Sequence, residues 1–117
     1  MVVDVTAVEL NIDLAQNRTF ELVAAVLASD GVTPRDDLAG WTGAMQIRDS
    51  RSTAATLLAE ADVTVDATTG TVTARVPAAD TDGATWRSGA YDLYITNGTA
   101  REDLAYGVAR LRRAVTA

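Results

Sequence analysis

Apolar and polar residues alternate with period two along most of this chain, the spacing expected of strands with one buried face. Val8, Leu10, Ile12 and Leu14 fall on one face of the first such segment, with Glu9, Asn11 and Asp13 opposite. Phe20, Leu22, Ala24 and Val26 share a face in the second, and Trp41, Met45 and Ile47 in the third. Leu57, Ala59, Ala61, Val63 and Val65 continue the rhythm, followed by Val72, Ala74 and Val76, then by Tyr91, Leu93 and Ile95. In the last segment, 103–111, two phases compete. Leu104, Tyr106 and Val108 share one, Ala105, Ala109 and Leu111 the other, and a bulge at Gly107 would switch between them.

Turn signals separate these runs. Ser29-Asp30-Gly31-Val32-Thr33-Pro34 reads as a turn, and Asp66-Ala67-Thr68-Thr69-Gly70 as a hairpin loop with glycine where positive φ is wanted. Pro77 closes the strand before it. Asn97-Gly98 is the strongest short hairpin signal, since both residue types tolerate positive φ. The stretch 78–89 breaks the alternation; Asp80 or Thr81 is placed to cap one short helical turn, with Trp86 folding back onto the core. The segment 52–62 has the Ala and Leu content of a helix, but unbroken alternation from Leu57 to Val65 favours an extended chain. The pattern therefore predicts one all-β domain over 1–117, an immunoglobulin-like antiparallel β-sandwich of seven or eight short strands with one helical turn.

Composition narrows what such a domain does. At 117 residues the chain fits one domain. Hydrophobic residues make up 48%, enough for a core, but much of that is Ala and Val and only 5% is aromatic, so the core is expected to be thin. Trp41, Trp86 and Tyr91 are its expected anchors. The chain has no cysteine, no histidine and no lysine. Thiolate nucleophiles, disulfides, imidazole bases and Schiff-base or phosphate-loop lysines are thereby excluded. A net charge of −6 argues against free nucleic acid as a partner. Met1-Val2-Val3-Asp4 shows neither a basic nor a long apolar run, so no secretory leader and no membrane span are expected, and the product is expected to be made in the cytoplasm.

Candidate chemistry is sparse. Asp80-Thr81-Asp82-Gly83 opens like a calcium loop but lacks the third oxygen ligand and the closing Glu. Asp62 and Asp66 share a strand face about 13 Å apart, too far to act as an acid–base pair. Asn17-Arg18-Thr19 and Asn97-Gly98-Thr99 match the N-glycosylation pattern, but turn roles explain them. No catalytic residue, metal ligand or cofactor is expected. Arg110, Arg112 and Arg113 make a basic end on the last strand, read as protection of a sheet edge or as a docking surface for an acidic neighbour. Val2, Val3 and Val5, with this basic end, are the candidate edge-strand sites for a neighbour to add to. Thr64, Thr71 and Thr73 make the outer faces flat and polar, and self-association is expected.

The order of features resembles a known family. Asp37-Leu38-Ala39-Gly40-Trp41-Thr42-Gly43-Ala44-Met45-Gln46-Ile47-Arg48 is similar to a stretch of small tailed-phage virion proteins related to the N-terminal domain of the phage baseplate upper protein. The similarity continues through Leu57-Leu58, Val65-Asp66, Gly70-Thr71-Val72, Pro77-Ala78-Ala79-Asp80-Thr81 and Trp86, and ends with Gly89-Ala90-Tyr91-Asp92-Leu93 and Gly107. It implies a β-sandwich that assembles with other virion proteins and performs no chemistry. A capsid decoration docking on the major capsid protein is the leading expectation, a small tail or baseplate component the next, and the virion its location. A carbohydrate- or ligand-binding sandwich using Trp41, Trp86 and Tyr94 as a platform is the alternative from another class.

Overall fold

The computed structural model describes residues 8–27, 30, 32–50 and 54–113. Eight strands form within them: β1 (Val8–Glu9), β2 (Ile12–Ala15), β3 (Phe20–Ala25), β4 (Thr42–Arg48), β5 (Leu57–Asp66), β6 (Thr71–Val76), β7 (Ser88–Thr96) and β8 (Arg101–Arg112). A 3-10 turn, Ala78–Thr81, lies between β6 and β7. The all-β expectation holds. The strands follow one hydrogen-bonded path, β1-β8-β7-β4-β5-β6-β3, with β2 also on β8. Curling this path places one face of every long strand around a single core.

β5 makes the curl. Leu57 to Ala61 pair with β4, and Asp62 to Asp66 pair with β6. Ala59, Ala61, Val63 and Val65 all point inward, so one unbroken alternation serves both halves. The segment 57–62 is thus strand, as the alternation indicated. Leu57 is the exception: a register shift at Ile47/Arg48 leaves Leu58 opposite no single residue, so Leu58 packs on the core and Leu57 faces out.

The sheet is mixed, not purely antiparallel. β1 and β2 run parallel to β8, in one continuous register from Val8↔Ala105 to Ala15↔Arg112. Parallel partners need a long connection, and here nearly the whole chain lies between them. The expected first strand is also interrupted at Leu10 and Asn11. Tyr91 Oη donates to the Leu10 carbonyl at 2.6 Å, and the Val108 amide donates to Asn11 Oδ1 at 3.0 Å. Val8 and Leu10 stay 63% and 42% exposed, whereas Ile12 and Leu14, beyond the interruption, are buried.

In β8 the phase of Ala105, Ala109 and Leu111 is the buried one. The bulge lies at Leu104, since Leu93 pairs Ala105 and Tyr94 pairs Asp103. Gly107 serves another purpose. It faces Tyr91 across the β7–β8 ladder, and a Cβ there would meet the Leu10 carbonyl oxygen at 2.5 Å and Asn11 Oδ1 at 2.9 Å. Only a residue without a side chain lets β1 and the Tyr91 hydroxyl close on β8.

Two turn expectations change in detail. The 97–100 connection has positive φ only at Gly98; Asn97 acts through its side chain, whose Oδ1 accepts from the Thr99 and Ala100 amides. The 3-10 turn is entered from Pro77, with no side-chain cap from Asp80 or Thr81. Thr81 is buried instead, its Oγ1 accepting from the Asn17 amide at 2.9 Å, which pins the β2–β3 corner to the turn.

Gly107→Ala is expected to cost about 1–3 kcal/mol of stability from overpacking against backbone, and Tyr91→Phe about 1–2 kcal/mol from the lost hydrogen bond. Urea denaturation of both variants checks this. An unchanged midpoint for Gly107→Ala would mean that β1 can move off β8 freely.

Candidate docking surfaces

The strands alternate in direction, so the loops gather at two ends. At one end lie the β3–β4, β5–β6 and β7–β8 connections, and one arginine organises them. The Arg35 amide donates to the Val26 carbonyl at 2.9 Å, and the Val26 amide donates to the Gly70 carbonyl at 2.8 Å. The isolated bridge Leu27↔Pro34 narrows the loop, and Leu38, 1% exposed, plugs the end of the core. Gly70 has φ of +69°, and a Cβ there would meet the Arg35 carbonyl oxygen at 2.9 Å.

The Arg35 side chain is fully engaged. Nε and NH2 donate to the two oxygens of Asp37 at 2.7 and 2.9 Å, and NH1 reaches both oxygens of Glu102 at 2.8 Å. The guanidinium also lies over the Trp41 ring, 5.7 Å from its centroid. Arg35 and Glu102 are only 13% and 16% exposed in their side chains, while Asp37 is 63% exposed. The fork–fork match to Asp37 raises the guanidinium's proton affinity and holds the Asp37 carboxyl below the usual carboxylate range. Four guanidinium hydrogen bonds go to Asp37 and Glu102, so this cluster is a fastening of the β3–β4 loop to β8. Asp30, in the same loop, accepts from the Val32 and Thr33 amides and the Thr33 hydroxyl, which lowers its carboxyl to about 2.

At the opposite end lie the β2–β3, β4–β5 and β6–β7 connections. Arg110 and Arg112 point outward from β8, between the buried Ala109 and Leu111, and Arg113 follows exposed. This corrects the edge-strand expectation. Arg110 is flanked by Asp13 of β2 and Ser88 of β7, so the end of β8 is interior to the sheet; the sheet's outer strands are β1, β2 and β3. Val2, Val3 and Val5 lie outside the described residues. The chain adds Arg87, whose carbonyl accepts from the Leu111 amide at 2.8 Å, and Arg18, in the corner where the Gln16 amide donates to the Arg112 carbonyl at 2.9 Å. Arg48 closes β4 at the same end. Sequence reading singled out three of these six arginines; the strand directions bring the other three to the same end of the sheet. Among the described residues, none of the six forms an ion pair; Arg35 and Arg101 do.

The aromatic residues do not form a platform. Tyr91 is 2% exposed and Trp86 and Trp41 are half-buried against the core. Trp41 precedes β4 at the Arg35 end, and Trp86 precedes β7 at the arginine-rich end, a strand's length away or about 25 Å. Tyr94 faces outward from the middle of the sheet under Arg101, 3.7 Å from its ring centroid. Arg101 also pairs with Asp92 and Asp103, all about half-exposed. Glu60, Asp62 and Asp66 fall on the outer side of β5, and Asp66 Oδ1 accepts from the Thr68 amide in the hairpin turn. Thr64 and Thr73 sit opposite each other on the outer face between β5 and β6.

Arg35→Ala leaves Glu102 without its partner and frees the β3–β4 loop, and is expected to cost about 1–3 kcal/mol. The Asp37 carboxyl is depressed in the folded state, so its contribution to stability is present above the unfolded carboxylate value near 4 and is lost as pH falls through its folded value. Acid titration of the melting temperature is therefore expected to be steeper in the native sequence than in Arg35→Ala below about pH 4. Equal slopes would remove the ion pair as a source of acid lability. A scan against protein-family models finds no match for this chain, and a search of curated proteins finds none either.

Proposed function

We propose that this chain is a non-enzymatic structural protein of a tailed-phage particle, a capsid decoration that docks on the major capsid protein. The observation that carries this reading is the ordered resemblance to small virion proteins from Asp37 onward, ending with Gly89-Ala90-Tyr91-Asp92-Leu93 and Gly107. The strand order supports the sandwich that the resemblance implies, with β8, β7, β4 and the first half of β5 along one side and the second half of β5, β6 and β3 along the other. The chemistry supports a docking role over catalysis. The chain has no His, Cys or Lys, and its most buried polar cluster spends its guanidinium on its own carboxylates. Other tail or head proteins are the partners in the tail and baseplate version of the same reading. A carbohydrate-binding sandwich gains no support, because Trp41, Trp86 and Tyr94 occupy three separate surfaces.

Mass spectrometry and cryo-EM of purified particles test the proposal. Hundreds of copies on the head are the expected result. A few to some tens of copies at the tail would move the protein to the baseplate, and absence from mature particles would end the virion reading.

A further inference from the structure

The chain's charges are sorted along its strands. Ten basic residues, all arginine, and sixteen acidic ones make up the sequence. At the arginine-rich end, among the described residues, Arg18, Arg48, Arg87, Arg110, Arg112 and Arg113 lie with the carboxylates of Asp13, Asp49, Asp80 and Asp82, and Glu60 reaches Arg48 through Gln46. At the other end the proportion inverts: Asp30, Asp36, Asp37, Asp66, Glu102 and Asp103 surround Arg35 and Arg101, both held in ion pairs. A protein of net charge −6 thus gathers six arginines without an ion pair among the described residues at one end and a carboxylate excess at the other. The two ends are separated by the length of β8, roughly 37 Å for twelve residues. Several Debye lengths at physiological salt lie between them, so each end presents its own field to an approaching molecule.

We propose that the arginine-rich end docks on the acidic end of a second copy of this chain, head to tail. Arg87, Arg110 and Arg112 meet the carboxylates of Asp36 and Asp66, which lie on the β3–β4 and β5–β6 connections that come together where Gly70 approaches the Arg35 backbone. Charge complementarity within one molecule selects this occupant. A free polyanion would face the acidic remainder of the surface, whereas a second copy offers a compact acidic end matched to the basic one. The contact joins a different surface on each copy, so placed head to tail it propagates into rings or rows. The inference deepens the docking reading by naming a partner, but it does not depend on the particle. Self-association is measured on the purified chain, and particle location is not.

Sedimentation velocity of the intact chain at ~20 mM and ~500 mM salt is the test. Concentration-dependent association is expected at low salt, weakening by about tenfold or more at high salt. R110E/R112E and D36R/D66N each remove one end; Asn at position 66 keeps the side-chain oxygen that the Thr68 amide uses. Each variant alone is expected to be monomeric with an unchanged circular-dichroism spectrum. Mixed, they are expected to form dimers and nothing larger, because one intact end survives on each partner. A native chain that stays monomeric at low salt, association indifferent to salt, or mixed variants that stay apart would each overturn the proposal. Binding to heparin without self-association would overturn it too, and would make a polyanion the partner.

Discussion

One strand belongs to both halves of this molecule, and the rest of the fold depends on it. β5 gives its first half to β4 and its second half to β6. For that to work, its inward residues must fit two different environments along one line. Ala59 and Ala61 lie inward on the β4 side, where Met45 and Ile47 fill the space, while the larger Val63 and Val65 lie inward on the β6 side. Val63 also occupies the gap that Gly43 leaves: a Cβ at Gly43 would overlap Val63 Cγ1. The curl is thus a matter of side-chain size along β5, and the thin core that the Ala- and Val-rich composition implied is what allows the strand to be shared.

The same economy explains which features were legible in the sequence. Strands whose inner faces read cleanly, such as Phe20-x-Leu22-x-Ala24, Val72-x-Ala74-x-Val76 and Tyr91-x-Leu93-x-Ile95, are strands in the structure with those faces inward. Alternation carries no information about which strand lies beside which, so the parallel pairing of β1 and β2 with β8 was hidden, and with it the interior position of Arg110 and Arg112. Bulges were equally hidden. Gly107 looked like the place for a phase switch because glycine is common in bulges, yet the switch is at Leu104 and Gly107 is there for a close approach. The Arg35 cluster was illegible for another reason. Arg35 and Glu102 are distant in sequence, and nothing local marks either as half-buried.

The residues that carry the phage resemblance have a common physical character. Met45, Ile47, Tyr91 and Leu93 are buried, Gly107 admits the Tyr91 hydroxyl bond, and Gly89 has no room for a side chain against the Arg48 carbonyl. These positions specify how strands pack. They say little about what the outside touches, because a fold is compatible with many surfaces.

What the outside touches is a question about unspent interactions. At the acidic end, the one half-buried arginine satisfies two carboxylates and fastens a loop, so its energy is used within the chain. At the other end five exposed arginines lie at the strand ends without an ion pair among the described residues, while Arg48 donates to the Ala55 carbonyl and to Gln46 Oε1. Solvated charges of this kind add little to folding stability. Gathered together, their mutual repulsion is a small cost to the isolated molecule, and an acidic surface laid against them would relieve it. Docking at that end therefore gains from both the attraction formed and the repulsion removed, whereas docking at the Arg35 end would first have to compete with a guanidinium already in place. In the proposed head-to-tail contact, the arginine-rich end brings the unpaired charges and the fastened end receives them on Asp36 and Asp66, which Arg35 leaves free.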